Sequence, residues 1–297
     1  MPFLPYAKLL RLPNVFTAFA DIALGFCVTV HFRLIDTETA IRAALLFAAS
    51  GLLYLAGMVW NDYFDLEEDR KTQPFRPLAS GKISVRTAVT IGLVLTALGL
   101  ACATATGKSG AIIGGLLVAA IFLYNARIKR TPAGPISMAA CRFLNVLLGL
   151  TLVDVASFTW PLRLHLAGTI GLYIVGVTWF ARTEEKRSNP KVLRLAAAVM
   201  LAAALLALFV PARLPPGTAT PLFPYLLVVF VFWVGFPAVV AMRQPFPGNV
   251  QAAVKRSIFG LVALDAILAS AFIGEAGLLI LLLLIPAILL GKLVYST

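Results

Sequence analysis

Runs of predominantly apolar residues recur along the whole chain, each close to the roughly 20 residues that carry an α-helix across about 30 Å of hydrocarbon. Read between charge clusters, they fall at residues 14–31, 43–60, 87–107, 109–126, 134–153, 164–181, 195–212, 221–242 and 257–273. A further apolar stretch, 278–295, follows Gly274-Glu275-Ala276-Gly277. Its interior Pro286 is tolerated in a membrane helix, so it is either a tenth span or an interfacial hairpin arm. The pattern predicts an all-α, polytopic transmembrane helical bundle of nine spans, with the tenth left open. The longest hydrophilic stretch is 61–86, so one membrane domain over residues 1–297 accounts for the chain.

Composition excludes an ordinary soluble domain. The 297 residues are 60% hydrophobic and 13% charged, with a mean hydropathy of +0.93, whereas soluble chains run about 45–50% apolar and about a quarter charged. Against that low charge content stands a net charge of +12, from 25 Lys and Arg against 13 Asp and Glu. The bases cluster at 8–11, 70–86, 127–130, 182–194 and 243–256, while the opposite side carries only Arg33, Arg42, Lys108, Arg163 and Arg213. By the positive-inside rule the N-terminus and the mouth of any site among those clusters are expected to be cytoplasmic, in a bacterial inner membrane. Lys8 and Arg11 before an apolar run resemble a secretory signal, but no small-residue cleavage site precedes a soluble region, so the first span is expected to be retained. No basic run sits in a soluble fold, which argues against nucleic acid as a partner and leaves membrane lipid and anionic ligands. Cys27, Cys102 and Cys141 lie in apolar stretches without metal-ligand spacing and read as small apolar residues.

The acids are more unevenly spread than the bases. Asp62, Asp65, Glu67, Glu68 and Asp69 crowd into Asn61-Asp62-Tyr63-Phe64-Asp65-Leu66-Glu67-Glu68-Asp69-Arg70. A helix continued through this stretch stacks Asn61, Asp65 and Asp69 on one face with Asp62 beside them. Like charges at that spacing repel; a hard dication such as Mg²⁺ reverses the sign, because it takes oxygen ligands and completes its shell with waters and substrate phosphate. Arg70, Lys71, Arg76 and Lys82 follow, with Pro74 and Pro77 turning the chain back. Carboxylates for a metal beside bases for phosphate make a diphosphate site. The plainer reading is a solvated charged helix end, which gives random charges no reason to keep one face.

With this motif the chain resembles the UbiA superfamily of intramembrane prenyltransferases, over essentially its whole length. The resemblance implies that Asn61, Asp62, Asp65 and Asp69 hold Mg²⁺ and an isoprenyl diphosphate, with the three aspartates catalytic. It gives Arg76 and Arg70 to phosphate, and it sets Tyr124 and Lys129 of Tyr124-Asn125-Ala126-Arg127-Ile128-Lys129-Arg130 close to the diphosphate. Arg11-Leu12-Pro13-Asn14 matches the family's opening, with Asn14 facing the cavity. After the sixth span the family carries a second aspartate pattern, whereas this chain reads Ala181-Arg182-Thr183-Glu184-Glu185-Lys186 without aspartate. There Glu184 is the remaining oxygen ligand, and Arg182 or Lys186 a direct phosphate contact.

Inside the fifth span, Arg142 and Asn145 stand at membrane depth. A charge there costs at least about 2.5–3.5 kcal/mol on insertion scales, so it is expected to pair with Asp21 or Asp265 or to touch diphosphate or acceptor. The Arg-x-x-Asn of this span, Thr17 to Asp21, and Arg182-Thr183-Glu184 together resemble a branch of the superfamily, the UbiA-like protein of the bacterial ebo cluster. The implied activity is Mg²⁺-dependent transfer of an isoprenyl group to a lipid-soluble, aromatic acceptor. Two other classes stay open: a non-catalytic isoprenoid-lipid binding or transport protein on the same scaffold, and an unrelated transporter using Arg142, Asp21 and Asp265.

Overall fold

The computed structural model describes residues 3–32, 34–153, 158–184, 187–214 and 217–295. Every regular element among them is helical. In chain order these are α1 (Leu4–Leu9), α2 (Val15–Phe32), α3 (Thr37–Phe64), α4 (Leu66–Thr72), α5 (Val85–Ala105), α6 (Lys108–Leu123), α7 (Gly134–Leu150), α8 (Trp160–Ala181), α9 (Pro190–Ala207), α10 (Phe223–Arg243), α11 (Pro247–Ile273) and α12 (Leu284–Tyr295). Several helices run past the apolar stretches that predict them, because polar residues supply their caps. Asp36 accepts from the Thr39 N–H at 2.8 Å and so starts α3 before residue 43, and Ser84 accepts from Thr87 N–H at 3.1 Å at the start of α5.

Eight helical segments are long and apolar enough to cross a membrane, and α7, at 17 residues, is a ninth, shorter apolar helix. The expected nine spans are thus all present as helices. The tenth stretch is the return limb of a hairpin. The chain leaves α11 at Gly274, whose φ of +62° suits a residue without a Cβ, and runs back as a 3-10 helix, Gly274–Leu283, and then as α12. At about 2.0 and 1.5 Å per residue, the 10 and 12 residues of these two elements reach about 38 Å. α12 accordingly ends against α1 and the turn Leu12–Asn14.

Packing follows chain order around a ring. α2 touches α3, α3 touches α5, and each helix from α5 to α11 touches the next, until α11 closes on α2; α2 also crosses to α7. The outward faces stay apolar, with Leu98, Leu116, Leu205, Val229, Phe232 and Phe236 at least half exposed. Apolar exposure on that scale fits lipid rather than water. Helices in lipid gain little from hydrophobic burial against one another and depend on close backbone approach. At the α2–α7 crossing a Cβ on Gly25 would lie 2.3 Å from the Gly149 carbonyl carbon. Farther along, the buried Arg163 side chain donates to the carbonyls of Leu150, Val153 and Phe158, satisfying acceptors left over where α7 ends.

Gly25→Ala is expected to force α2 and α7 apart at a cost of about 1–3 kcal/mol, read as a lower thermal midpoint in detergent. Gly115→Ala, where a Cβ meets nothing within 4 Å, should leave the midpoint at or above its original value. Equal midpoints for the two variants would remove the crossing from its place in the fold.

Candidate active site at the end of the third helix

The acidic motif lies where α3 gives way to α4. The helix does not run straight through: it breaks at Asp65, which caps α3 with φ −93° and ψ −1°. Two i to i−4 bonds survive the break, Asp65 N–H to Asn61 O at 3.1 Å and Asp69 N–H to Asp65 O at 2.8 Å. The stacking of Asn61, Asp65 and Asp69 expected of a continuous helix is therefore kept only approximately. No group of three acidic, histidine or cysteine side chains among the described residues is gathered to hold a metal ion.

Each carboxylate is instead held by bases from elsewhere in the chain. Asp62, 3% exposed, takes Arg11 Nη2 at 3.1 Å and lies 3.8 Å from Arg76 Nη1. Asp69, 5% exposed, takes Arg76 Nη1 at 2.8 Å. Asp65 takes Lys129 Nζ at 2.5 Å and Arg130 Nη2 at 2.8 Å. Burial raises the Asp69 carboxyl above the usual aspartate range against the pull of Arg76, and burial lowers Lys129 below the usual lysine range against the pull of Asp65. The hydrogen bond to Asp65 raises the Arg130 guanidinium. Charged groups held away from water in this way gain from added counter-charge of either sign.

Local backbone turns put these bases in place. Arg11 adopts φ +46° and ψ +45° just before the turn Leu12–Asn14, the left-handed region that a non-glycine residue enters at a cost. Tyr124–Ile128 forms a π-helical turn, of the kind found often at functional sites. It brings Asn125 and Lys129 to α3: Asn61 Nδ2 donates to Asn125 Oδ1 at 3.1 Å, and Asn125 Nδ2 donates to Ile121 O at 3.0 Å. Arg11, Asn125 and Arg130 are contacts that sequence reasoning missed. Only the Arg11-Leu12-Pro13-Asn14 and Tyr124-Asn125-Ala126-Arg127-Ile128-Lys129-Arg130 stretches carried a signal for them, and neither says which distant acid it meets.

Below this lattice a cavity of about 390 Å³ opens between α2, α3, α6, α7, α8 and α11. Arg11, Asn14, Tyr124, Asn125 and Glu184 line its charged end, Leu53, Met58, Leu117, Ile121, Ile174 and Val177 its apolar middle, and Tyr54, Arg142 and Asn145 stand deeper along α3 and α7. The structure thus gathers Asn61, Asp62, Asp65, Asp69, Arg76 and Lys129 into one polar lattice and sets Asn14, Tyr124 and Glu184 in the cavity wall, with Arg11 and Asn125 belonging to both. Two expected residues turn away. Arg70 pairs with Glu67 at 2.8 Å with its side chain 52% exposed, because it follows Asp69 on the outer side of α4. Arg182 donates to the backbone carbonyls of Thr131 and Arg130, at 2.9 and 3.4 Å, and so ties two loops together rather than facing the cavity. Lys186 lies outside the described residues. Arg142 pairs with Asp21 at 3.2 Å, the first of its two expected roles.

The donor set fits a hard dication that binds through oxygen: three aspartates and Asn61 at one helix end, beside bases suited to phosphate. Mg²⁺ needs only one or two carboxylates when phosphate completes its shell, so dispersed carboxylates are compatible with it.

Digeranylgeranylglyceryl phosphate synthase of Saccharolobus solfataricus is 30% identical over 126 residues, covering 42% of this chain and 43% of that protein. The match spans somewhat less than half of that relative's length. A solved structure of a digeranylgeranylglyceryl phosphate synthase superposes with a TM-score of 0.65 at 22% identity, over 91% of this chain and 99% of that one. A UbiA homologue from Archaeoglobus fulgidus bound to GPP and Mg²⁺ superposes with a TM-score of 0.59 at 18% identity, over 86% and 99%. At these identities the likeness is one of fold. The family model of the UbiA prenyltransferase family matches residues 24–259, and the chain belongs to that family.

Proposed function

We propose that this multi-pass integral membrane protein transfers an isoprenyl group from an isoprenyl diphosphate to a lipid-soluble acceptor, aromatic in the simplest case, with Mg²⁺ as cofactor. One observation carries the reading: three buried or half-buried aspartates and four bases form an ion-pair lattice that shares Arg11 with the wall of a cavity whose middle is apolar. Asn61, Asp62, Asp65 and Asp69 would hold the metal, which when bound neutralises diphosphate charge as the allylic C–O bond breaks.

The protein's own groups do the rest. Arg76, Lys129 and Arg130 exchange carboxylate oxygens for phosphate oxygens and stabilise the charge that develops on the leaving diphosphate. The apolar lining keeps water from the allylic carbocation. Tyr124, in the cavity wall, supplies an aromatic ring suited to a cation, whereas the Tyr54 ring already stands under the Arg142 guanidinium. An isoprenyl chain is itself a lipid, so a site that opens within the bilayer meets its substrate there. The basic loops support an orientation with the N-terminus and the mouth on the cytoplasmic side, in a bacterial inner membrane on this reading.

A second reading, isoprenoid-lipid binding or transport without catalysis, draws on one specific feature. The turn after α8 carries no aspartate, and Arg182 there is committed to backbone carbonyls. Incubation of purified protein with radiolabelled isoprenyl diphosphates and Mg²⁺ separates the two: diphosphate release supports transfer, and binding without release supports the carrier.

Asp65→Ala and Asp69→Ala should each lower Mg²⁺-dependent turnover about 100-fold or more with expression intact, and chelation of the wild type should stop turnover until Mg²⁺ is restored. Undiminished turnover in either variant would sink the assignment. Arg76→Ala should lose about tenfold or more, while Arg70→Ala stays near wild type; the reverse order would move the phosphate site to the outer side of α4. Green fluorescent protein fused to the N-terminus should fluoresce in a bacterial host, and alkaline phosphatase inserted between α2 and α3 should be active. An inactive phosphatase with a dark N-terminal fusion would invert the orientation.

A further inference from the structure

At the depth of Arg142 the cavity meets a second polar group, which the diphosphate site does not use. Thr17 and Asp21 of α2, Arg142 and Asn145 of α7, and Leu261 and Asp265 of α11 are each three or four residues apart, so each pair shares a helix face and three helices converge there. Arg142 Nη2 donates to Thr17 Oγ1 at 2.6 Å and Nη1 to Asp21 Oδ2 at 3.2 Å. Its guanidinium carbon stands 5.6 Å from the centre of the Tyr54 ring. Asn145 Nδ2 donates to Asp21 Oδ2 at 2.7 Å and to Ala18 O at 3.0 Å. Asp21 and Asp265 are both 0% exposed. Asp265 faces Asp21 carboxyl to carboxyl, and neither Asp265 oxygen meets an N–H or hydroxyl of any other described residue.

Charge balance limits what this floor can hold. Two carboxyl groups share one guanidinium inside an apolar bundle, and two facing carboxyls stay in contact only by sharing a proton. With that proton the floor is neutral. Arg142 still has donors to spare: a guanidinium carries five N–H groups, and Asp21 and Thr17 take one each. Both Arg142 and Asn145 line the cavity. Asn145 Nδ2 is already committed, and its Oδ1 is an acceptor that no described residue uses.

We propose that this floor binds the head group of the acceptor, and that the head group is an uncharged hydroxyl on a lipid-soluble body. Its oxygen accepts from Arg142 and its O–H donates to Asn145 Oδ1. A carboxylate or phosphate fits poorly, because it adds net charge to a floor already balanced and sets its lone pairs against Asn145 Oδ1 and Asp21. The donor's diphosphate and the acceptor's hydroxyl then occupy opposite ends of one cavity. The role as acceptor rests on the prenyl-transfer reading; the site itself does not.

The test is equilibrium binding of 1-naphthol and 1-naphthoate, an uncharged and an anionic group on the same ring, to the full chain in nanodiscs without Mg²⁺ or diphosphate. Probe fluorescence is read, and the signal of empty nanodiscs is subtracted. Saturable naphthol binding is expected, with naphthoate at least about tenfold weaker. In Arg142→Gln, naphthol affinity should fall by about tenfold or more. Naphthoate binding as tight as naphthol, no saturable naphthol binding by the wild type, or an unchanged affinity in Arg142→Gln overturns the proposal. The two-probe comparison on the wild type needs no variant to fold. Neither Mg²⁺ nor diphosphate is present, so failure here is separate from failure of diphosphate release, and selective naphthol binding without release would keep the floor site while removing catalysis.

Discussion

A carboxylate taken out of water has to find positive charge, and at the end of α3 three of them do so at once. The partners come from the turn before α2, from the loop after α4 and from the segment after α6. Segments far apart in sequence are therefore tied to one point by ion pairs whose acids are buried or half-buried and whose arginines keep more contact with solvent. Removing a base from such a pair leaves a buried acid without counter-charge, which costs far more than the pair gains over an apolar substitute. That asymmetry fixes the mouth of the cavity while leaving the carboxylates and bases open to exchange with a metal and a phosphate, which supply the same charges.

Below the mouth the demands change with depth. The middle of the cavity is apolar, as a reactive cation or an isoprenyl chain requires, and the outer faces of the bundle are apolar because lipid is their solvent. Charge reappears at the Asp21, Arg142 and Asp265 cluster, where α2 and α7 come close enough for Arg142 and Asn145 to hold Asp21 while Asp265 of α11 faces it. Close approach depends on Gly25 and Gly149 at the α2–α7 crossing, so the small residues that let the helices meet also let Arg142 reach Asp21. Fold and floor share one cause.

Much of this was legible in the sequence. Hydrophobic length marked the nine apolar helices, eight of them close to or beyond the roughly 20 residues that cross hydrocarbon, and the clustering of acids beside bases marked the candidate site. Helix ends were less legible, because caps such as Asp36 extend a helix into residues that hydropathy scores as loop. The break at Asp65 could not be seen, nor could the π-helical turn at Tyr124–Ile128, since both depend on contacts with segments about 50 or more residues away. Arg70 and Arg76 look alike in sequence; α4 directs one to solvent and the loop after it directs the other onto Asp62 and Asp69.

By itself, the sequence determined that the chain lives in a membrane, where its apolar helices fall, and that acids and bases crowd together at one helix end. Those are consequences of length, composition and local spacing. Tertiary structure alone decided which base holds which acid, that Arg142 faces Asp21 with Asp265 behind it, and that a cavity joins the mouth to that cluster. Pairing inside a bundle is set by which helix faces meet, and that depends on the packing of the whole ring.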